Sequence, residues 1–180
     1  MACSENRIEL DCRLQWMLKK QVPDETILKH FYRIYQNNPN LRAWKTSLIE
    51  HAIVQHRNSL IQKFDMKDIC WNILVAATTV ENTEMVHYLV SRHFSSVDED
   101  EDGYNAMEMA LIKDNEELMT ILRETYPKDN TLIHLALNKH ACRCFRVLMP
   151  EVREYMERKI LASLVADCDV TILEMILDAN

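Results

Sequence analysis

The sequence predicts an all-α chain: a solenoid of about five stacked helical hairpins behind an N-terminal helix pair that caps it. Three observations carry this expectation. The chain holds one glycine and four prolines in 180 residues, too few for a fold built on many tight turns, which draw on glycine for positive φ. Apolar segments recur in a common frame of short apolar run, polar break and second apolar run. Matched positions are separated by 25, 33, 26 and 28 residues, and two antiparallel helices with tight turns need about 25.

The elements follow in chain order. Ile8–Lys20 is amphipathic, with Leu10, Leu14, Met17 and Leu18 on one side. Pro23-Asp24-Glu25-Thr26 has the composition of a helix start, and the second helix carries Ile27, Leu28, Phe31, Ile34 and Tyr35. Asn37-Asn38-Pro39-Asn40 ends it. Residues 1–43 therefore form the cap that a solenoid requires. Residues 44–180 divide into units at about 44–66, 67–97, 98–126, 127–152 and 153–180, all in one continuous domain. The clearest self-similarity aligns Gly103–Leu111 with Asp129–Leu137 without a gap, and in both a second apolar run begins eight residues after the shared alanine, Ala110 or Ala136. Ser47–Ala52, Asn72–Ala77 and Lys159–Leu164 are weaker copies. The closing apolar positions are 64, 89, 122, 148 and 176. Ala52, Ala77, Ala110 and Ala136 share one position, where a small side chain lets stacked helices approach. Val170–Leu177 is mostly apolar, so this last helix is either buried against its neighbour or covered by a partner.

The frame resembles the ankyrin repeat family. Its best match is Thr131-x-x-His134-x-Ala136, with Gly103 at the family's glycine position one unit earlier. Thr131 suits an N-cap, since its hydroxyl can accept from a first-turn N–H, and His134 can bond back three residues later. The sequence departs from the family pattern: no unit has the Thr-Pro dipeptide. Polar residues such as Asn58, Asp114 and His140 replace loop glycines. The resemblance implies a non-catalytic protein–protein interaction module that acts as adaptor, regulatory subunit or inhibitor. Partner classes it implies are cell-cycle kinase complexes and, as the alternative, NF-κB-type transcription factors or host targets of a viral modulator.

Composition narrows the function further. A phosphate-binding loop, a dinucleotide-binding turn and a hydrolase nucleophile elbow each need more than one glycine. A net charge of −7 with scattered Lys and Arg disfavours general nucleic-acid binding. No 18-residue apolar run and no signal-type N-terminus is present, so neither membrane association nor secretion is expected. The six cysteines read as reduced thiols in the cytoplasm or nucleus.

Two constellations invite a metal. Asp98, Asp100, Asp102 and Gly103 match the opening of a calcium-binding EF-hand loop, but position twelve is Met109, where a bidentate glutamate is required. His140-x-Cys142-x-Cys144, with Cys168 one unit on, invites zinc, but helical residues two apart point to opposite sides. Neither cofactor nor metal is therefore expected, although a calcium- or zinc-dependent switch stays open as a lesser reading. No catalytic residue is assigned, since no Gly-rich turn lies near a nucleophile. The partner-binding candidates are Asp98, Glu99, Asp100, Glu101, Asp102, Tyr104, Lys128, Asp129, Asn138 and Lys139. The acidic run 98–102 reads either as a solvated loop or as a contact loop on a rigid scaffold.

Overall fold

The computed structural model describes residues 10–66, 69, 72–95, 99, 100, 102–126, 131–155, 170, 172, 174 and 175. Among these the chain is all-helical, with ten helices and no strand beyond an isolated bridge between Glu99 and Asn105. The helices are α1 (Cys12–Lys19), α2 (Asp24–Tyr35), α3 (Leu41–Val54), α4 (Asn58–Ile61), α5 (Ile73–Thr79), α6 (Thr83–Ser91), α7 (Ala106–Ile112), α8 (Glu116–Leu122), α9 (Thr131–Asn138) and α10 (Cys142–Tyr155). None of them is long and apolar enough to cross a membrane.

One turn closes five of these helix pairs. Gln21, His56, Glu81, Asp114 and His140 all have φ between 49 and 54°. In each, the left-handed residue's N–H bonds back three residues and the next N–H bonds back five. Glu81 N–H to Thr78 O (3.0 Å) and Asn82 N–H to Ala77 O (3.0 Å) are one example. This is the Schellman closure, which satisfies helix-end carbonyls and reverses the chain within two residues. Turn residues 56, 81, 114 and 140 are spaced by 25, 33 and 26 residues, the same intervals that separate the apolar positions 64, 89, 122 and 148.

The pairs stack in two layers. Helices α3, α5, α7 and α9 pack in succession, and α6, α8 and α10 pack in succession behind them. Ala52, Ala77, Ala110 and Ala136 are fully buried, and so are Leu89, Leu122 and Leu148 at the closing positions, with Phe64 nearly so. Ile172 is buried and Val170 exposed; the rest of the apolar stretch 170–177, apart from the backbone of Glu174 and Met175, lies outside the described residues.

Polar side chains tie each turn to the next pair. The Arg57 guanidinium donates to Leu18 O (3.4 Å) and Val22 O (2.7 Å) and pairs with Asp24. Asn58 and Asn82 exchange amide hydrogen bonds (3.3 and 2.8 Å), and Asn58 also donates to Glu84 (2.8 Å). Asn115 donates to Glu81 (2.8 Å). Asp114 Oδ1 accepts from the backbone N–H of Arg143 (2.8 Å) and Cys144 (3.0 Å), at the start of α10, where first-turn N–H groups lack intrahelical partners.

At the N-terminus, Phe31 meets Phe64 edge-on and Tyr35 stacks on Trp44, with ring centroids 4.4 Å apart. Residues 36–40 break the helix as expected, but α3 resumes at Leu41. The boundary drawn after residue 43 therefore falls inside a helix. The Trp44–Tyr35 stack pins that extra first turn of α3 to the cap.

Candidate functional site

Glu99, Asp100 and Asp102 of the acidic run, with Gly103, Tyr104 and Asn105, make a finger that leads into α7. Glu99 bridges to Asn105, and Asp100 N–H donates to Tyr104 O (2.9 Å). Asp100 Oδ1 accepts from the N–H groups of Asp102 and Tyr104, both at 3.0 Å. Gly103, with φ of 80°, supplies the left-handed step for which glycine carries no steric penalty. Asn105 then caps α7 in a reciprocal box: Glu108 N–H donates to Asn105 Oδ1 (2.9 Å), and Asn105 N–H donates to Glu108 Oε2 (3.0 Å).

That geometry engages Asp100, one of the three loop aspartates, and Glu108, the residue before position twelve. Asp100 Oδ1 holds the turn, Glu108 holds the cap, and Met109 lies within α7, where the repeat frame put it. Among the described residues no three His, Cys, Asp or Glu side chains are grouped as metal ligands would be. Cys144 is buried, with its thiol donating to Ala110 O (3.5 Å). Burial, reinforced by Asp114 and Glu116, pushes that thiol up to about 12, so it packs as a small hydrophobe. Cys142 is only half-buried, as the divergence of residues two apart on a helix demands. Cys168 lies outside the described residues.

Of the sequence candidates, Glu99 and Asp102 are exposed, Asp100 is half-buried and Tyr104 is 39% exposed on the same finger. Asn138 and Lys139 are exposed at the far end of α9. Asp114, just past the end of α7, caps the helix that follows α9, so α7 and α9 run parallel with their C-termini together. The finger and Asn138 therefore sit at opposite ends of neighbouring helices, about 10 Å apart at helical rise, and are not one patch. Asp98, Glu101, Lys128 and Asp129 lie outside the described residues. Thr131, expected as an N-cap, is the first residue of α9. Asn130, before it, lies outside the described residues. The expected Thr131–His134 capping arrangement is realised one unit earlier by the equivalent pair, Asn105 and Glu108.

A feature that the sequence reading missed lies on the α3, α5, α7 and α9 layer. Helix α5 (ILVAATT) and helix α9 (TLIHLALN) contain no Asp, Glu, Lys or Arg, and α7 (AMEMALI) contains only Glu108, which its cap consumes. The residues two before each left-handed turn, Val54, Thr79, Ile112 and Asn138, are all exposed. Those five before it, His51, Ala76, Met109 and Leu135, are half-buried. These eight positions form a stripe without formal charge, bordered on α3 by Glu50, four residues before Val54, and by Arg42 and Lys45 nearer its start. The second layer is charged by contrast, with Glu84, Glu116, Glu117, Arg143 and Arg146.

Compared with known proteins, the chain matches no family model, no curated protein and no solved structure.

Proposed function

We propose that this chain is a non-catalytic interaction module, an ankyrin-like helical-hairpin solenoid that binds another protein through the first helices of its units. The uncharged stripe supports the reading. Interface cores are depleted of charge relative to the remaining surface, and here depletion marks α5, α7 and α9 of that layer. Val54 is 54% and Ile112 37% exposed on that layer, and both project from helices whose neighbours hold them rigidly. The acidic finger, with Tyr104 at its base, flanks the same layer. In this role the chain acts as an adaptor, regulatory subunit or inhibitor. The ankyrin resemblance puts a cell-cycle kinase complex first among partner classes and an NF-κB-type transcription factor second.

The test is affinity capture with three baits: the native chain, an Ile112→Asp variant on the stripe, and a Glu117→Gln variant on α8. A stoichiometric partner retained by the native and Glu117→Gln baits and lost by Ile112→Asp supports the assignment. The partner's identity decides between kinase complex and transcription factor. Loss by Glu117→Gln alone moves the contact to the second layer and overturns the assignment.

A further inference from the structure

We propose that His30 makes the N-terminal cap releasable by acid: α1 stays docked on the stack while the ring is neutral and undocks once the ring is protonated. This goes beyond the binding role proposed above and does not depend on it.

The neighbour of His30 fixes its tautomer. The Arg33 guanidinium lies 3.3 Å from Nδ1. Arginine can only donate, so Nδ1 accepts and the ring proton sits on Nε2. The residue is buried, 9% exposed, and Nε2 has no hydrogen-bond partner. A second proton has only Nδ1 to go to. There it removes the ring's one acceptor, ends the bond from Arg33 and sets two cations against each other. The imidazolium then holds two buried N–H donors without acceptors, a state that burial penalises heavily.

The surroundings do not offset this. Among the described residues the charged groups that act on the ring are Arg33 from α2, and Arg13 and Asp11 from the start of α1, with none from α3 or α4. Asp11 is held at the N-cap of α1, where its carboxylate accepts from Arg13 N–H (3.0 Å). Burial first, then Arg13 and Arg33, hold the imidazole below its usual 6.5 against the pull of Asp11.

Relief comes through α1. The α1–α2 hairpin turns at Gln21, which sets residue 30 opposite the start of α1, where Arg13 stands. As first element of the stack, α1 makes its main contacts with α2 and α3. Helix α2 has anchors of its own: Asp24 pairs with Arg57 and accepts from Ser59 (2.6 Å), Phe31 meets Phe64, and Tyr35 stacks on Trp44. Arg57 reaches α1 at its last turn, through Leu18 O at 3.4 Å, at the far end from Arg13. Undocking α1 therefore brings water to His30 while α2 keeps its hold on the stack, a local opening of an end element. It uncovers Leu10, Leu14, Met17 and Leu18, all buried in the docked cap.

The undocked ring binds the proton first. Docking is at full strength above 6.5 and weakens as pH falls toward the lower value of the docked ring. Across that interval each pH unit multiplies the undocked-to-docked ratio by up to about tenfold.

Hydrogen exchange of the full chain, resolved by residue and corrected for its intrinsic pH dependence, reads this ratio. The reporters are Leu14, Met17 and Leu18 in α1, and Leu118 and Leu122 in α8. From pH 7 to pH 5 the ratio in α1 should rise at least about threefold, while α8 stays unchanged. His30→Gln removes the titrating ring and should abolish the rise. Arg13→Gln removes an exposed like charge from α1 and should reduce the rise, which loss of a merely structural side chain would not do. That variant keeps the test decisive where His30→Gln weakens the cap at every pH.

A rise shared by α8 means that acid opens the whole stack, and overturns the local device. A rise in α1 that persists in His30→Gln belongs to another group and overturns the role of His30. No rise in α1 means that the ring is protonated in place or swings out past Arg33, and overturns its coupling to α1.

Discussion

Asp114 and His140 occupy the same backbone position in successive hairpins, yet glycine should act on them with opposite sign. Both are left-handed, with φ of 49 and 54°, a conformation costing an L-residue about 1–2 kcal/mol. Glycine removes that cost but adds about 0.5–1 kcal/mol of unfolded-state entropy. At His140, an exposed turn tip, the balance is a gain of about 0.5–1 kcal/mol. At Asp114 the same gain is offset by two hydrogen bonds from Arg143 and Cys144. A carboxylate at this half-buried site contributes about 1–1.5 kcal/mol through each. His140→Gly should therefore raise the unfolding midpoint by about 1–4 °C and Asp114→Gly should lower it by about 2–10 °C, at the 2–4 °C per kcal/mol typical of a chain this size. Circular dichroism melts of the two variants measure this. Equal signs would refute the claim that the side chain of Asp114 joins two units.

Asn82→Ala removes the cap on Met85 N–H and the donor to the Asn58 side-chain carbonyl, so urea unfolding should show a loss of about 2–4 kcal/mol. Ala77→Leu forces bulk between helices at a fully buried position and should cost about 1–3 kcal/mol by the same assay. His30 makes stability depend on pH. Burial holds its imidazole below the usual 6.5, Arg13 and Arg33 lower it further, and Asp11 opposes them. The unfolded chain then binds the proton first, so stability is full above 6.5 and falls as pH drops toward the folded value. His30→Gln should flatten the urea midpoint across that window relative to the native chain. Asp24 loses its contribution at lower pH: burial opposes ionisation, but the Ser59 hydroxyl and the Arg57 guanidinium hold its carboxyl below 3.8. That part of the stability is present above 3.8 and fades as acid approaches the folded value.

The apolar frame was legible because burial in a helix pair recurs at fixed chain intervals. Phe64, Leu89, Leu122, Leu148 and the alanine column could be marked from spacing alone. The turns were not. Scarcity of glycine argues against left-handed residues, yet among the described residues six other than glycine adopt positive φ. Cross-unit bonds from Asp114 and Glu81 help hold that conformation, and such bonds span 29 and 34 residues, beyond the reach of any local pattern. The finger was visible as charge but not as structure. Whether its carboxylates faced solvent or backbone depended on the Asp100 side chain folding back on the N–H groups of Asp102 and Tyr104. Capping shows the same limit, since the reciprocal box at Asn105 and Glu108 lacks the family-like residues that drew attention to Thr131 and His134.

Polar groups in this chain are divided by task. Arg57, Asn58, Asn82, Glu81 and Asp114 sit at the turns and bond from unit to unit, so cohesion of the stack is concentrated at its turn edge. The finger is outside that set: its bonds run within residues 99–105 and the cap of α7. The stripe between them carries no formal charge and makes no demand on the turn network. Substitutions at Glu99, Asp102 or Ile112 can therefore alter recognition without loosening the stack. Substitutions at Asp114 or Asn82 loosen the stack without touching the stripe. In the proposed binding role that separation matters, because the residues that set the spacing of the stack are not those assigned to the partner, so register and recognition could change independently.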